Sequence, residues 1–235
     1  MPEILTAQGP GALPDTREVV LGSGSRVWSV LEREGLLAER FTVAISHRDL
    51  DVFSFQPQDR VWVLSYSRVP RENARLLRRL ANCGIREIVY VSSSSTIVGQ
   101  VTDCYEYPRV KLEAEIAALA WPRSKVLTIG LMYSDERSLP GGDNVATSFR
   151  ELAAFMMSPR WPDAGGRRKF LFGRVVRPFR GPVEAWLHSG YGRLMRLLTK
   201  RPCLLRPIDL VLRALGMRWY GYVFLSNRLW TSTTS

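Results

Sequence analysis

Tyr107 and Lys111 are the residues best suited to proton transfer, because they stand four positions apart in a segment predicted to be helical. An i, i+4 spacing brings two side chains to one face of a helix. A phenol has a pKa of about 10, and a cation held beside it stabilises the phenolate. We therefore expect Lys111 to lower the pKa of Tyr107, which would make the tyrosine a general acid or base.

A serine hydroxyl precedes this pair by thirteen residues. Ser94 belongs to a run of four serines at the end of the apolar segment 87–91, where it can orient a carbonyl or carbinol oxygen. Tyr107, Lys111 and Ser94 are the predicted catalytic residues. A purely structural interpretation remains open, in which Tyr107 packs at a helix start and Lys111 is solvated beside Glu115.

Apolar segments alternate with amphipathic ones along the first half of the chain. Strands are predicted at 18–21, 41–45, 52–55, 61–64, 87–91 and 125–129. Helices are predicted after Ser25, from Pro70, from Tyr107, at 147–157, and at about 182–200 and 207–216. This alternation predicts an α/β protein with a Rossmann-type, doubly wound parallel sheet. We divide it into a flexible lead-in (1–16), a dinucleotide-binding domain (17–135) and a small, basic, mostly helical lobe (136–235) packed on the sheet.

A glycine-containing turn, Gly22-Ser23-Gly24, lies between the first predicted strand and helix. A dinucleotide pyrophosphate binds at such a turn, on backbone N–H groups and a helix N-terminus. The third position of the G-x-G-x-x-G pattern is Val27, and two glycines also suit a tight turn without a ligand. The predicted cofactor-binding residues are Gly22, Ser23, Gly24, Ser25, Arg26, Val27, His47, Arg48, Leu64, Ser65 and Lys111.

The residues after the second predicted strand bear on the choice of nicotinamide cofactor. An acid there pairs with the ribose 2′-hydroxyl of NAD, whereas a basic residue suits the 2′-phosphate of NADP. The sequence is Ser46-His47-Arg48-Asp49, with the arginine first. We therefore expect an NAD(P) site that favours NADP, with a simple surface position for Arg48 as the alternative.

These motifs resemble those of the short-chain dehydrogenase/reductases, especially the extended branch of NAD-dependent epimerases and dehydratases that modify nucleotide sugars. In that branch one strand ends in serines followed by Val-Tyr-Gly, and segment 88–99 is similar to it. Segment 107–115 is similar to the family's helix with the motif Tyr-x-x-x-Lys. Counting back from Gly99 assigns the catalytic position to Ser94, with Ser93 and Ser95 as alternatives. The resemblance covers roughly residues 18–134 and departs from the family at Val27.

The resemblance implies hydride transfer to or from a nicotinamide ring, with Tyr107 as acid or base. Lys111 would lower the tyrosine pKa and hold the nicotinamide ribose, and Ser94 would bond the reacting oxygen. It implies oxidation, reduction or epimerisation of a nucleotide-linked sugar, as in surface polysaccharide assembly, by a homodimer. A ketoreductase for a small non-nucleotide carbonyl compound and a non-catalytic NAD(P)-binding sensor or scaffold remain alternatives.

Positive charge is concentrated in the C-terminal part of the chain. Of a net charge of +11, residues 167–235 contribute +12, from 14 basic and two acidic side chains. Guanidinium groups match phosphate oxygens, so a diphosphate clamp is predicted here. The predicted substrate-binding residues are Ser94, Ser95, Arg167, Arg168, Lys169, Arg174 and Arg177.

The same basic region is interleaved with aromatic residues, which also suits peripheral contact with a membrane surface or packing within the lobe. A solvated basic face is a further alternative, and nucleic acid is not an expected partner because no recognition module is present. Three scattered cysteines and the lack of any apolar run of about 18 residues favour a cytoplasmic location. No metal-ligand spacing is present in the sequence.

Overall fold

The computed structural model describes residues 16–37, 41, 43–67, 69, 71–162, 166–199, 201, 204–214 and 221–233. Apart from Thr16, the lead-in expected at 1–16 lies outside the described residues, as does Pro70, from which a helix is predicted.

Nine strands occur within the described ranges. They are β1 (Arg17–Leu21), β2 (Val43–Ile45), β3 (Asp59–Val63), β4 (Glu87–Ser93), β5 (Ser124–Ile129), β6 (Leu131–Tyr133), β7 (Gly142–Ser148), β8 (Arg168–Leu171) and β9 (Gly173–Arg177). Six of them form one sheet in the order β2-β1-β3-β4-β5-β8, and every neighbouring pair is parallel. The chain order reverses beside β1, and ligands of such sheets bind beyond the carboxyl ends of the strands at this switch point.

Helices cover both faces of this sheet. They are α1 (Arg26–Arg33), α2 (Glu72–Asn82), α3 (Thr96–Gly99), α4 (Glu106–Leu119), α5 (Phe149–Met157), α6 (Pro182–Thr199), α7 (Leu205–Ala214) and α8 (Gly221–Thr233). One apolar core joins the sheet to α1 and α5, and a second joins it to α2 and α4. Successive residues of β1 alternate between the two cores, since Val20 belongs to the first and Val19 to the second. The predicted Rossmann-type α/β fold is confirmed.

The strand predicted at 52–55 is wrong, because this segment is a loop. Phe53 and Phe55 still pack against the second core, with their ring centroids 4.8 Å apart. The alternating apolar residues thus reflect packing from a loop, which needs no strand pairing. Since segment 52–55 adds no strand, β2 is an edge strand of the six-stranded sheet.

The region after residue 130 contains more strand than we predicted. Segment 138–144 is rich in proline and glycine, which predicts a loop, but it overlaps β7, which pairs in parallel with β6 and antiparallel with β9 in a small second sheet. Gly142-Asp143-Asn144 is typical of a turn, but backbone pairing with β9 overrides this local preference. Strand β8, within the proposed lobe, pairs with β5 as the sixth strand of the main sheet, and the domain division itself stays a prediction.

Helices α6 and α7 agree with the helices predicted near 182–200 and 207–216, whereas α8 was not predicted. In a third apolar cluster, Leu225 of α8 joins Val98 of α3, Tyr105 and Tyr191. Within the described ranges, no helix has both the length and the apolar character needed to cross a membrane.

Candidate active site

The turn between β1 and α1 requires glycine at its first position. Gly22 has a φ of +122°, in the region that disfavours side chains, and a Cβ atom there would lie 2.7 Å from the backbone nitrogen of Ser65. The N–H groups of Gly22 and Ser23 donate to the carbonyl of Ile45 at 2.8 and 3.1 Å. These two residues therefore shape the turn and tie it to the end of β2.

The start of α1 has the features of an anion site. Ser25 is the N-cap, and its Oγ accepts from the Trp28 N–H at 3.1 Å. First-turn N–H groups have no acceptor within their own helix and favour an anion. A Cβ atom on Gly24 would meet nothing within 4 Å, so a ligand can approach the backbone there. These observations fit a pyrophosphate group, although Val27 stands where the pattern has its third glycine.

The serine run spans the end of β4 and the turn into α3. Ser93 Oγ lies 3.0 Å from Ser95 Oγ, and the Ser93 side chain also interacts with that of Tyr107. Ser94 is buried, and its N–H donates to the carbonyl of Ile129 at 2.7 Å. Ser93 therefore interacts with the tyrosine side chain, and both Ser93 and Ser94 line the cleft beside it.

The Tyr107 side chain is enclosed by two aromatic rings. It stacks on Tyr222, with centroids 5.4 Å apart and planes at 27°, and meets Tyr66 edge-on at 5.0 Å. Burial raises the pKa of Tyr107, because the phenolate would lose its hydration, and the hydrogen bond with Ser93 opposes this effect. The lowered tyrosine pKa that we expected is not found in this structure, and the phenol stays protonated at neutral pH.

Lys111 is buried, with 6% of its surface exposed. Its Nζ donates to the carbonyl of Val91 at 3.1 Å and lies 5.2 Å and 4.9 Å from the ring centroids of Tyr66 and Tyr90. Burial lowers the lysine pKa from its ordinary value of 10.5 to about 8, and the charge of Glu115 opposes the change. Lys111 is therefore not a solvated helix lysine.

A cleft of about 330 Å³, here named the central cleft, brings much of the predicted site together. The predicted residues that line it are Ser25, Arg26, Val27, Leu64, Ser94, Ser95, Tyr107 and Lys111. His47 and Arg48 are exposed in a short 3-10 turn after β2 and do not line it. The residues at the start of α1 and the predicted catalytic residues thus share one cavity.

A second cavity of about 540 Å³, here named the basic cavity, adjoins the first. Arg26, Val27, Leu131, Met132, Val223 and Asn227 line both. Arg177, Arg180, Glu184 and His188 line only the basic cavity, where Arg177 Nη2 lies 2.6 Å from Glu184 Oε1. Burial lowers the pKa of His188, so the positive charge of this cavity comes from its arginines.

The five basic residues of the predicted clamp do not meet in one place. Arg167 donates to the carbonyl of Trp121 at 2.8 Å, and Arg168 lies 3.5 Å from Glu115. Arg168 and Lys169 pair with Val126 and Leu127 in the middle of β5, and neither residue lines the central cleft or the basic cavity.

Further along the chain, Arg174 pairs with Asp143 at 3.0 Å and is exposed, whereas Arg177 lines the basic cavity. The five residues therefore do not form one clamp in this structure, because strand pairing spreads four of them along β8 and β9.

Sequence reasoning missed the contribution of α8. Tyr222, Val223, Ser226 and Asn227 of this helix line the central cleft. The Nε1 of Trp230 donates to the carbonyl of Ser94 at 2.9 Å. A spacing of four residues separates Tyr222, Ser226 and Trp230. This spacing places them on one face of a helix and could have predicted α8 from the sequence.

Comparison with known proteins gave structural matches alone, since no protein-family model and no curated sequence matches the chain. One similar structure is MoeE5 in complex with UDP-glucuronic acid and NAD, at 15% identity, 67% coverage of this chain and 77% of that chain, and a TM-score of 0.49. A second is UDP-N-acetylglucosamine 4-epimerase from Bacillus cereus, at 12% identity, 77% and 85% coverage, and a TM-score of 0.49. A third is an NAD-bound short-chain dehydrogenase/reductase superfamily protein from Agrobacterium tumefaciens, at 16% identity, 75% and 82% coverage, and a TM-score of 0.46.

Proposed function

We propose that this chain is an NAD(P)-dependent oxidoreductase or epimerase of the short-chain dehydrogenase/reductase type that acts on a nucleotide-linked sugar. One observation carries the proposal: Ser25 and Arg26, at the start of α1, line the same cleft as Tyr107 and Lys111. A cofactor bound at the β1–α1 turn therefore has its reactive end within reach of an acid–base group, at the sheet edge where such ligands bind.

In the proposed mechanism Tyr107 acts first as an acid. Its raised pKa keeps the phenol protonated, so the tyrosine can donate its proton to an oxygen that gains negative charge. Ser93, through its bond to Tyr107, orients the phenol, and Ser94 is the adjacent hydroxyl for the reacting oxygen. The buried charge of Lys111 stabilises the phenolate that remains.

The cofactor supplies the hydride chemistry when it is bound, and the chain supplies position and charge. The N–H groups of the first turn of α1 would hold its pyrophosphate, and Gly24 leaves the approach open. We propose NADP over NAD because Arg48 follows β2, where its exposed guanidinium suits a 2′-phosphate.

The substrate class follows from the charge of the basic cavity. Arg26, Arg177 and Arg180 line it, whereas Glu184 is the acidic residue among its lining residues. A diphosphate complements this excess of guanidinium groups, and the adjoining central cleft then receives the sugar. A small carbonyl compound without phosphate would leave the basic cavity without a role, which makes the ketoreductase the second choice. Surface polysaccharide assembly stays a prediction.

The test is a calorimetric titration with NADH, NADPH and a panel of UDP-sugars, followed by turnover measurements on Tyr107→Phe. We expect the wild type to bind a cofactor and a UDP-sugar, and the variant to keep both affinities while turnover falls at least about 100-fold. Unchanged turnover refutes the assigned mechanism. Cofactor binding without turnover in the wild type would favour the sensor or scaffold.

We also propose that the lobe contacts an anionic membrane surface. Val183 and Trp186 of α6 are 69% and 74% exposed, and Leu210 and Val211 of α7 are 64% and 58% exposed. These apolar side chains belong to the region that carries a net charge of +12, a combination that suits anionic lipid headgroups over an apolar layer. The cytoplasmic location and the homodimer stay predictions.

A further inference from the structure

Helix α8 lies against the predicted catalytic residues with one face. Tyr222 stacks on the ring of Tyr107, and two turns later Trp230 donates to the Ser94 carbonyl at 2.9 Å. Between these contacts, Asn227 accepts from the Val145 N–H at 3.1 Å. Contacts at both ends and in the middle hold the helix along the central cleft.

Ser226 lies on this face, one turn from Tyr222 and one turn from Trp230. It is 2% exposed, it lines the central cleft, and its Oγ has no hydrogen-bond partner among the residues that the structure describes. A buried hydroxyl without a partner is unfavourable, and a serine within a helix commonly bonds the carbonyl four residues earlier. Ser226 makes no such bond, so a residue that lines the cleft keeps an unused hydrogen-bonding group in the ligand-free protein.

We propose that Ser226 is a substrate-binding residue whose Oγ hydrogen-bonds a hydroxyl or carbonyl group of the bound sugar. The inference rests on the proposed function and assigns α8 a role in recognition. In the proposed complex Tyr107 and Ser94 contact the substrate from the side of α4 and the end of β4, and Ser226 contacts it from α8. The sugar is thus held between two walls, which fixes its orientation relative to the tyrosine.

Ser124 provides a matched control. Its Oγ is also buried without a hydrogen-bond partner in the described part of the chain, but it lies at the amino end of β5 and does not line either cavity. Both Ser226→Ala and Ser124→Ala remove a hydroxyl that stabilises nothing in the free protein. We therefore expect neither variant to lower the melting temperature of the ligand-free protein. A clear decrease for Ser226→Ala would show a structural bond and overturn the proposal.

The deciding experiment is calorimetric titration of a UDP-sugar panel, including UDP-glucose, into the NADH complexes of the wild type and both variants. A neutral hydrogen bond contributes about 1 kcal/mol, which is about five-fold in Kd. We expect Ser226→Ala to raise the Kd of the bound UDP-sugar about five-fold, with no change for Ser124→Ala and no change in NADH affinity for either.

The other outcomes separate this inference from the proposed function. An unchanged UDP-sugar Kd in Ser226→Ala, with binding intact in the wild type, overturns the role of Ser226 alone. A weakened NADH affinity with unchanged UDP-sugar affinity assigns Ser226 to the cofactor and overturns substrate binding. A wild type that binds NADH but no UDP-sugar overturns both this inference and the substrate class.

Discussion

Replacing Lys111 with methionine tests the burial of this lysine through the pH dependence of stability. The lysine pKa falls from 10.5 to about 8 on folding, and each pKa unit corresponds to about 1.4 kcal/mol. The folded state therefore binds fewer protons than the unfolded state between pH 8 and pH 10.5. Below pH 8 the buried charge costs about 3 kcal/mol, and this cost is relieved as the pH rises.

Methionine keeps the length of the side chain and removes its charge, so Lys111→Met should remove this pH dependence. Relative to the variant, we expect the wild type to gain about 2–3 kcal/mol of unfolding free energy between pH 7 and pH 10. The assay is urea denaturation followed by tryptophan fluorescence at four or more pH values. Tyr90 and Tyr107 have raised pKa values, so their contribution begins near pH 10 and has the opposite sign.

Lys169→Met serves as the control, because this lysine is only partly buried on β8. It should leave the pH dependence of the wild type in place. If the wild type and Lys111→Met give parallel stability curves from pH 7 to pH 10, the lysine does not lose its proton in this range and the argument from burial fails.

The remaining predictions concern the turn, the serines and the lobe. Gly22→Ala should destabilise the protein by about 2 kcal/mol or more in urea denaturation, because Gly22 has a positive φ and a Cβ atom there would meet the backbone of Ser65. Gly24→Ala should leave the stability unchanged and weaken NADH binding in calorimetry. Ser93→Ala should reduce turnover in steady-state assays more than Ser94→Ala does, because the Ser93 side chain interacts with Tyr107. The reverse order would show that Ser94 is the serine that assists the tyrosine. Trp186→Ala should reduce co-sedimentation with anionic vesicles at low salt, and equal binding to neutral vesicles would contradict the charge argument.

The spacing of apolar and polar residues was sufficient to predict most of the sheet. Strands β1 and β4 occur where we predicted them because each is a short apolar run with clear boundaries, and α4 ends before Pro122, as its predicted bounds require. The errors occur where a short segment takes its structure from distant partners. Strand β7 begins at glycine and is held by β9, and the 52–55 segment packs without pairing.

The site shows the same division between local and distant effects. Tyr107 and Lys111 share a helix, so their spacing alone predicted that they lie close together. The tyrosine pKa shifts in the direction opposite to our expectation because the side chain is buried, and one of the rings packed on it, Tyr222, is 115 residues away in the chain. The sequence pattern does not indicate which aromatic rings pack against the Tyr107 side chain.

By itself, the sequence determined the parallel α/β sheet, the turn before α1 and the serine, tyrosine and lysine that surround its carboxyl edge. These features depend on periodicity and local spacing, which are properties of neighbouring residues. Only the tertiary structure decided that Ser93 interacts with Tyr107, that Arg167, Arg168 and Lys169 line neither cavity, and that α8 lines the cleft. Each of these depends on strand pairing or packing between residues far apart in the chain, whose contact energies are not encoded by local patterns.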